Sequence, residues 1–361
     1  MTTIQDLQAR IKDAAAAGRK LCLRGHRSKD FYGEAPQGEP FSTLDFAGIS
    51  AYEPSELVVT AKAGTTIAEL EALLAAQGQH LPFEPPRFGN RGTVGGMVAA
   101  GLSGPARAAA GSVRDHVLGL TLINGRGEAM NFGGTVMKNV AGYDVSRLMA
   151  GAMGVLGLIA EVSIKVLPLP VASATLRFEM DAATALQALN RWGGQPLPIQ
   201  ASACWDGALL VRLAGARAAV EAAQRTLGGD PIPQELARPF WTGLRDQSDE
   251  FFAGAERAVQ GGAKLWRLSL PQTAPVLNLP GEQLIEWGGA QRWLTTPAPD
   301  AQVREATAAL GGHATLYRAL DKRGSGAFAP LSAPLLRIHR ELKKSFDPQG
   351  VFNPGRLYGD L

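Results

Sequence analysis

The residues best placed to do chemistry sit in two glycine-containing stretches. The run LCLRGHRSKDFYG starts as a short apolar strand and ends in Arg24, Gly25, His26, Arg27 and Ser28. A strand that stops in small and basic residues can hold phosphate, because backbone N–H groups and guanidinium groups point at the anion together. The same composition also describes a solvated surface turn. The second stretch, TVGGMVAAGLSG, spaces Thr93, Gly95, Gly96 and Ser103 among small side chains. Backbone amides around Gly95 and Gly96 can approach a diphosphate or a bulky ring system. A helix packed tightly through small-residue contacts is the alternative. No GxGxxG stands between a strand and a helix here, so a Rossmann site is not indicated.

Other chemistries find little support. The five histidines (His26, His80, His116, His313 and His339) are not spaced as metal ligands. Cys22 and Cys204 lie far apart in apolar runs and read as buried free thiols. Two cysteines cannot ligate an iron–sulfur cluster, which takes about four. A formal charge of +3, with no basic run interleaved with aromatics, argues against nucleic acid. The first 20 residues carry acids and lack a signal core, and the uncharged run 148–160 falls short of the roughly 20 apolar residues that span a bilayer. A cytoplasmic location is expected, with peripheral attachment to a membrane complex left open.

These stretches need elements to position them. Ile4, Leu7 and Ile11 share a helical face over 3–17. Residues 41–46 and 56–62 read as strands. Thr66 and Glu69 form a capping box ahead of Leu70, Leu73 and Leu74, and Gly78 ends that helix. Strands 117–123 and 128–132 flank the hairpin signal Asn124–Gly127, and an apolar strand at 155–167 ends before Pro168 and Pro170. Beyond the prolines, strands at 174–180, 264–270, 291–296 and 313–320 alternate with helices at 181–192, 216–227 and 303–310, and Asp206-Gly207 marks a further hairpin. That pattern predicts an α+β fold with an antiparallel sheet backed by helices. The expected organisation is one domain over 1–168, a second over 169–330, and a segment 331–361, with a helix at 331–345, returning to the first. An excess of glycine, 43 of 361 residues, fits many tight turns and close approaches of the backbone.

Five motifs carry a family resemblance: AGTTIAELEALLAAQGQHLPFEPP (63–86), TVGGMVAAGLSGP (93–105), GSVRDHVLGLTLINGRGE (111–128), KNVAGYDVSRLMAGAMGVLGLI (138–159) and FDPQGVFNPGR (346–356). Together they resemble the vanillyl-alcohol oxidase and D-lactate dehydrogenase flavoproteins, whose FAD domain is of the PCMH type. Within that family they are most similar to the FAD-binding subunits of bacterial glycolate oxidase. The resemblance implies FAD, with the 24–28 loop, Thr93, Gly95, Gly96 and the neighbourhood of Ser103 around the pyrophosphate. It further implies that Asp115 takes the family's acidic position and that the Ile159 backbone meets the adenine or ribose end. Asn353 would reach back towards the flavin ring.

This chain departs from the family at named positions. His26 and Arg27 stand where the pyrophosphate loop is usually glycine, and Ala152 and Met153 replace a serine and a glutamate. Non-covalent FAD is expected in preference to a covalent link through His26. The paired-histidine, Gly-Asp-Gly-rich motif of single-chain relatives, which binds metal and substrate, has no counterpart here, and no metal is expected. The resemblance implies work inside a complex that oxidises glycolate to glyoxylate, with two partners: a larger homologous flavoprotein subunit and an iron–sulfur subunit. Oxidation of a small 2-hydroxy acid needs a cation for its carboxylate. Arg212, Arg267, Arg292, Arg318 and Lys322 are candidates that the sequence does not separate. Two other readings stay open. One is a self-sufficient 2-hydroxy-acid dehydrogenase with His313 or Tyr317 as base; the other is a flavin-free structural subunit.

Overall fold

The computed structural model describes residues 2–134, 144–322, 326–359 and 361. The chain divides into two compact units. The first comprises Met1–Leu102, Ser112–Pro168 and Pro330–Leu361, and the second Ser103–Gly111 and Leu169–Ala329.

The first unit is built on a five-stranded antiparallel sheet. Its order is Ile49–Glu53, Val58–Lys62, Leu158–Lys165, Val117–Ile123, Ala129–Gly133. The two central strands bury both faces, which explains their near-continuous apolar sequences. Helices Ile67–Ala75 and Val94–Ala100 cover the sheet through Ile67, Leu70, Leu74, Val94, Met97 and Val98. The Thr66–Glu69 capping box forms as the sequence predicts, with Glu69 N donating to Thr66 Oγ1 at 3.1 Å. A cap of this kind is worth about 1 kcal/mol. A second cluster packs Leu7 and Ile11 of helix Ile4–Ala16 against Leu21, Phe41, Val351 and Phe352. Thus the C-terminal tail shares a core with the first strand.

Asp347 secures that tail. Its buried carboxylate accepts from Val351 N and Phe352 N and from Lys343 Nζ, each at 2.8 Å. Lys343 Nζ also donates to Val155 O at 2.7 Å, which ties helix Ala333–Phe346 to the turn before strand Leu158–Lys165. Here the expected strand 155–167 is shorter than its pattern suggests. Met153 and Gly154 both take left-handed backbone, at φ 52° and 74°, and open a turn in place of strand. Of the last glycine-rich motif, residues 138–143 lie outside the described residues.

The second unit is an eight-stranded, wholly antiparallel sheet. Its order is Asp230–Ile232, Ala172–Glu179, Ala208–Gly215, Ile199–Trp205, Glu282–Glu286, Gln291–Thr296, Lys264–Ser269, His313–Arg318. Helices Ala182–Gly193 and Arg217–Leu227 bury Ala185, Leu189, Val220 and Ala223 in one core cluster with Leu209, Val211 and Leu213. Several elements escape the sequence pattern, the short strand Asp230–Ile232 among them. Helix Gln234–Asp246 carries Pro239 inside it, helix Glu250–Gln260 runs through Gly254, and strand Glu282–Glu286 has charged ends.

Candidate functional site

The first unit contains a cleft of about 830 Å³ of empty space, counted out to open solvent. That lies within the range of about 300–1,000 Å³ usual for small-molecule and cofactor sites. Arg24, Gly25, His26, Arg27 and Ser28 line it from the end of strand Leu21–Arg24. Thr93, Gly95 and Gly96 enter from the start of helix Val94–Ala100, Ile159 from strand Leu158–Lys165, and Asn353 from the tail. Ser103 and Asp115 are not brought there. Ser103 belongs to the second unit. Asp115 accepts from Ser112 N and Oγ, both at 2.8 Å, and so closes a capping box on the short helix Val113–His116.

Close packing, not free amides, explains the glycines of the second stretch. Gly95 N donates to Ala63 O at 2.9 Å, and Gly96 N turns to the Thr93 hydroxyl at 3.3 Å. Both N–H groups therefore already have protein acceptors, which corrects the expectation of amides aimed at a ligand. A Cβ on Gly95 would stand 2.7 Å from Ala63 Cβ. The small residues let helix and strand approach until one wall of the cleft is flat backbone. Gly25 acts alike on the opposite side, since a Cβ there would meet Thr93 Oγ1 at 2.6 Å.

Asn353 staples the cleft together. Its Oδ1 accepts from Leu23 N at 2.7 Å, its Nδ2 donates to Met153 O at 2.6 Å, and its own N–H reaches Leu21 O at 2.8 Å. One side chain thereby fixes the strand that feeds the 24–28 loop and the turn at Met153. The family's loop glycine is missed most at Arg27, whose φ of 63° is left-handed; His26 is not among the positive-φ residues. An L-residue in that region costs roughly 1–2 kcal/mol. The Arg27–Asp30 ion pair at 2.9 Å is too exposed to offset much of it.

The electrostatics of the cleft are one-sided. Arg24, Arg27, Lys29 and Arg356 line it against a single carboxylate, Asp30. Lys29 Nζ lies 5.4 Å from the Phe88 ring and has no hydrogen-bond partner among the described residues. Burial pushes its ammonium down to about 8. Arg356 Nη2 donates to Lys29 O at 3.0 Å, while its buried Nη1 finds no partner among the described residues. Burial also holds this guanidinium below its ordinary value. Arg24 is held above its own by a hydrogen bond from Nε to Cys22 Sγ at 3.2 Å. Lys29 and Arg356 are the residues that sequence reasoning missed. Lys29 adjoins the 24–28 loop, and Arg356 is the last residue of the FNPGR motif.

In the second unit the five candidate cations separate. Arg292 is fully buried and donates to the carbonyls of Gly289, Pro275 and Ala274, a structural role. Arg212 lies over the Trp241 ring at 4.9 Å, and Lys322 Nζ donates to Tyr317 O at 2.7 Å. Arg318 is half-buried at the end of strand His313–Arg318. Tyr317 is fully buried, and its hydroxyl exchanges hydrogen bonds with Gln247 at 2.8 and 3.0 Å. Arg267 is half-buried on strand Lys264–Ser269, and its Nε donates to Gln291 Oε1 at 2.6 Å.

Comparison with known proteins now decides the family. The glycolate oxidase subunit GlcE of Escherichia coli (strain K12) is 48% identical over 357 residues, covering 99% of this chain and 98% of that one. The chain belongs to the GlcE family. Residues 1–147 match the family model described as an FAD binding domain. Outside GlcE the likeness narrows. The D-lactate dehydrogenase of Anaerostipes hadrus is 35% identical over 123 residues, 34% of this chain and 25% of that one. Among solved structures, alkyldihydroxyacetonephosphate synthase superposes with a TM-score of 0.67 at 14% identity, covering 97% of this chain and 74% of the other. At that identity the match speaks for the fold alone. Among the described residues no helix is long and apolar enough to cross a membrane.

The cleft of this GlcE-family chain suits an anionic dinucleotide on two counts. It holds excess positive charge, and it contains a buried guanidinium nitrogen with no partner among the described residues. Ala63, Ala99, Leu158 and Ile159 add apolar surface for a ring.

Proposed function

We propose that this chain is the FAD-binding subunit of a glycolate oxidase complex and that the cleft of its first unit holds the FAD. The single observation that carries the reading is the near full-length GlcE match combined with a cationic cleft built from the matching motifs. Bound FAD supplies a two-electron acceptor for oxidation of a 2-hydroxy acid to the corresponding 2-oxo acid.

The chain's own residues bind and orient. Arg24, Lys29 and Arg356 neutralise the diphosphate, a charge-assisted role in which the buried Arg356 Nη1 gains an acceptor. Gly25 and Gly95 admit the cofactor to backbone contact. Asn353 fixes the Leu23 and Met153 segments, so the loop is preorganised before binding. His26 makes no covalent link, and FAD leaves with the solvent on denaturation. Partners are a larger homologous flavoprotein subunit and an iron–sulfur subunit, which supplies the cluster ligands that Cys22 and Cys204 cannot. The complex stands in the cytoplasm, at most peripheral to the membrane.

The test is purification of the chain alone and with those two subunits. The expected result is a yellow protein absorbing near 450 nm (approximate flavin band) that oxidises glycolate only slowly by itself. A colourless chain that takes up no added FAD would sink the reading. Full glycolate oxidation by the isolated chain would sink the accessory role.

A further inference from the structure

The sheet of the second unit carries a polar band that the cofactor cleft does not use. Strand register places Glu286 opposite Gln291, Gln291 opposite Ser269, and Ser269 opposite His313. Cross-strand partners and i, i+2 neighbours share a face, so these four and Arg267 lie on one side of the sheet. The band runs from fully enclosed Glu286 to exposed Ser269 and His313. A hydrogen-bond chain orders its middle. Gln291 Nε2 donates to Glu286 Oε2 at 3.0 Å, and Arg267 Nε donates to Gln291 Oε1 at 2.6 Å. Trp293 Nε1 adds a second donor to Glu286 Oε2 at 2.6 Å.

Arg267 is thus held at Nε, while its terminal nitrogens have no hydrogen-bond partner among the described residues. Its guanidinium carbon lies 5.3 Å from the Trp287 ring centroid, and that of Arg107 lies 4.5 Å from the same ring. Trp287 itself is fixed by Nε1 donating to Gly104 O at 3.0 Å. It adopts left-handed backbone at φ 54°, a strained conformation of the kind that collects at functional sites. Two cations gathered on one indole, beside an open row carrying a hydroxyl and an imidazole, make a receptor for a small anion. The planar fork of Arg267 is shaped for a carboxylate.

We infer that Arg267, with the Arg107 charge behind it and Ser269 and His313 beside it, forms a binding site for the carboxylate of a small 2-hydroxy acid. Glu286 serves it as a positioning residue through Gln291. The ligand class rests on the proposed function, but the residues that form the site all belong to the second unit. Ionised Glu286 accepts from the Gln291 amide and leaves its carbonyl for Arg267. Protonated Glu286 loses its charge and accepts less strongly from the Gln291 amide, which loosens the carbonyl that holds Arg267. The other charged group that acts on Glu286 besides Arg267 is Asp249.

Glycolate binding to the purified full chain, followed by titration calorimetry, tests the site, with uncharged glycolamide as control. Glycolate should bind and glycolamide should not. Arg267→Gln should weaken glycolate about tenfold or more, the usual worth of a charge-assisted fork, and Arg267→Lys should recover part of that loss. Arg107→Gln should weaken binding by a smaller factor. Desolvation raises Glu286 to about 7, so wild-type affinity should fall as pH drops through that value, and Glu286→Gln should remove the inflection. A folded wild type that ignores glycolate overturns the inference, as does an Arg267→Gln protein that binds it unchanged. Flavin content is measured alongside. A yellow protein without glycolate binding defeats this site and leaves the proposed function standing, whereas a colourless protein that binds glycolate does the reverse.

Discussion

The cofactor cleft and the polar band of the second unit are made in different ways. The cleft is assembled from short contiguous motifs whose glycines and small residues permit close contact, and one tail residue, Asn353, draws them together. The band is assembled from single residues on four strands, and only sheet register brings Glu286, Gln291, Arg267 and His313 into line. The first kind of site tolerates no added atoms. The second tolerates substitution sterically but depends on charge and hydrogen-bond direction.

Adding bulk to the cleft should break this comparison most sharply. Gly25→Val puts a branched side chain where even a Cβ meets Thr93 Oγ1 at 2.6 Å. We expect loss of bound flavin, read as the absorbance ratio of the purified protein, with glycolate binding in the second unit retained. Next in size is Asn353→Ala, which strands Leu23 N and Met153 O. Each buried group left unsatisfied costs roughly 1–3 kcal/mol, so chemical denaturation should show a loss of several kcal/mol and weaker FAD binding.

Charge changes should have smaller effects, and of opposite sign in the two regions. Lys29 has a folded value of about 8, below its ordinary 10.5. The unfolded chain therefore binds the proton more tightly, and stability of the flavin-free protein should rise as pH climbs from about 8 to 10.5. Lys29→Met should flatten that slope in thermal melts while weakening FAD. Glu286 runs the other way, raised from 4.5 to about 7. Its contribution is complete below 4.5 and lost as pH rises through 7, so Glu286→Gln should remove a decline in melting temperature across that window. The smallest effect belongs to Arg27→Gly. Relief of the left-handed backbone should stabilise the chain by about 1 kcal/mol, partly offset by glycine's entropy in the unfolded state.

Much of the first unit was legible in the sequence because its signals are local. The Thr66–Glu69 capping box, the Asn124–Gly127 hairpin and the phosphate-type loop at Arg24–Ser28 each lie within a few residues. Gln234–Asp246 was not legible, since Pro239 contradicts the helix that tertiary packing of Ala237, Trp241 and Leu244 enforces. Nor did motif order show that Ser103 folds with the second unit, or that Asp115, within the first, caps its own short helix. The amides of Gly95 and Gly96 were misjudged for the same reason, as their acceptors Ala63 O and Thr93 Oγ1 come from the fold's close packing.

By itself the sequence determined the α+β class, the family, and the glycine-rich stretches that a flavin would meet, because turn chemistry, capping and periodicity act over short spans. The tertiary structure alone decided how each of the five cations is engaged, what Asn353 holds, and where the glycine substitution strains the loop. Those answers depend on register, burial and a tail that returns from more than 300 residues away to pair with Leu21 and Leu23, and no local signal encodes them.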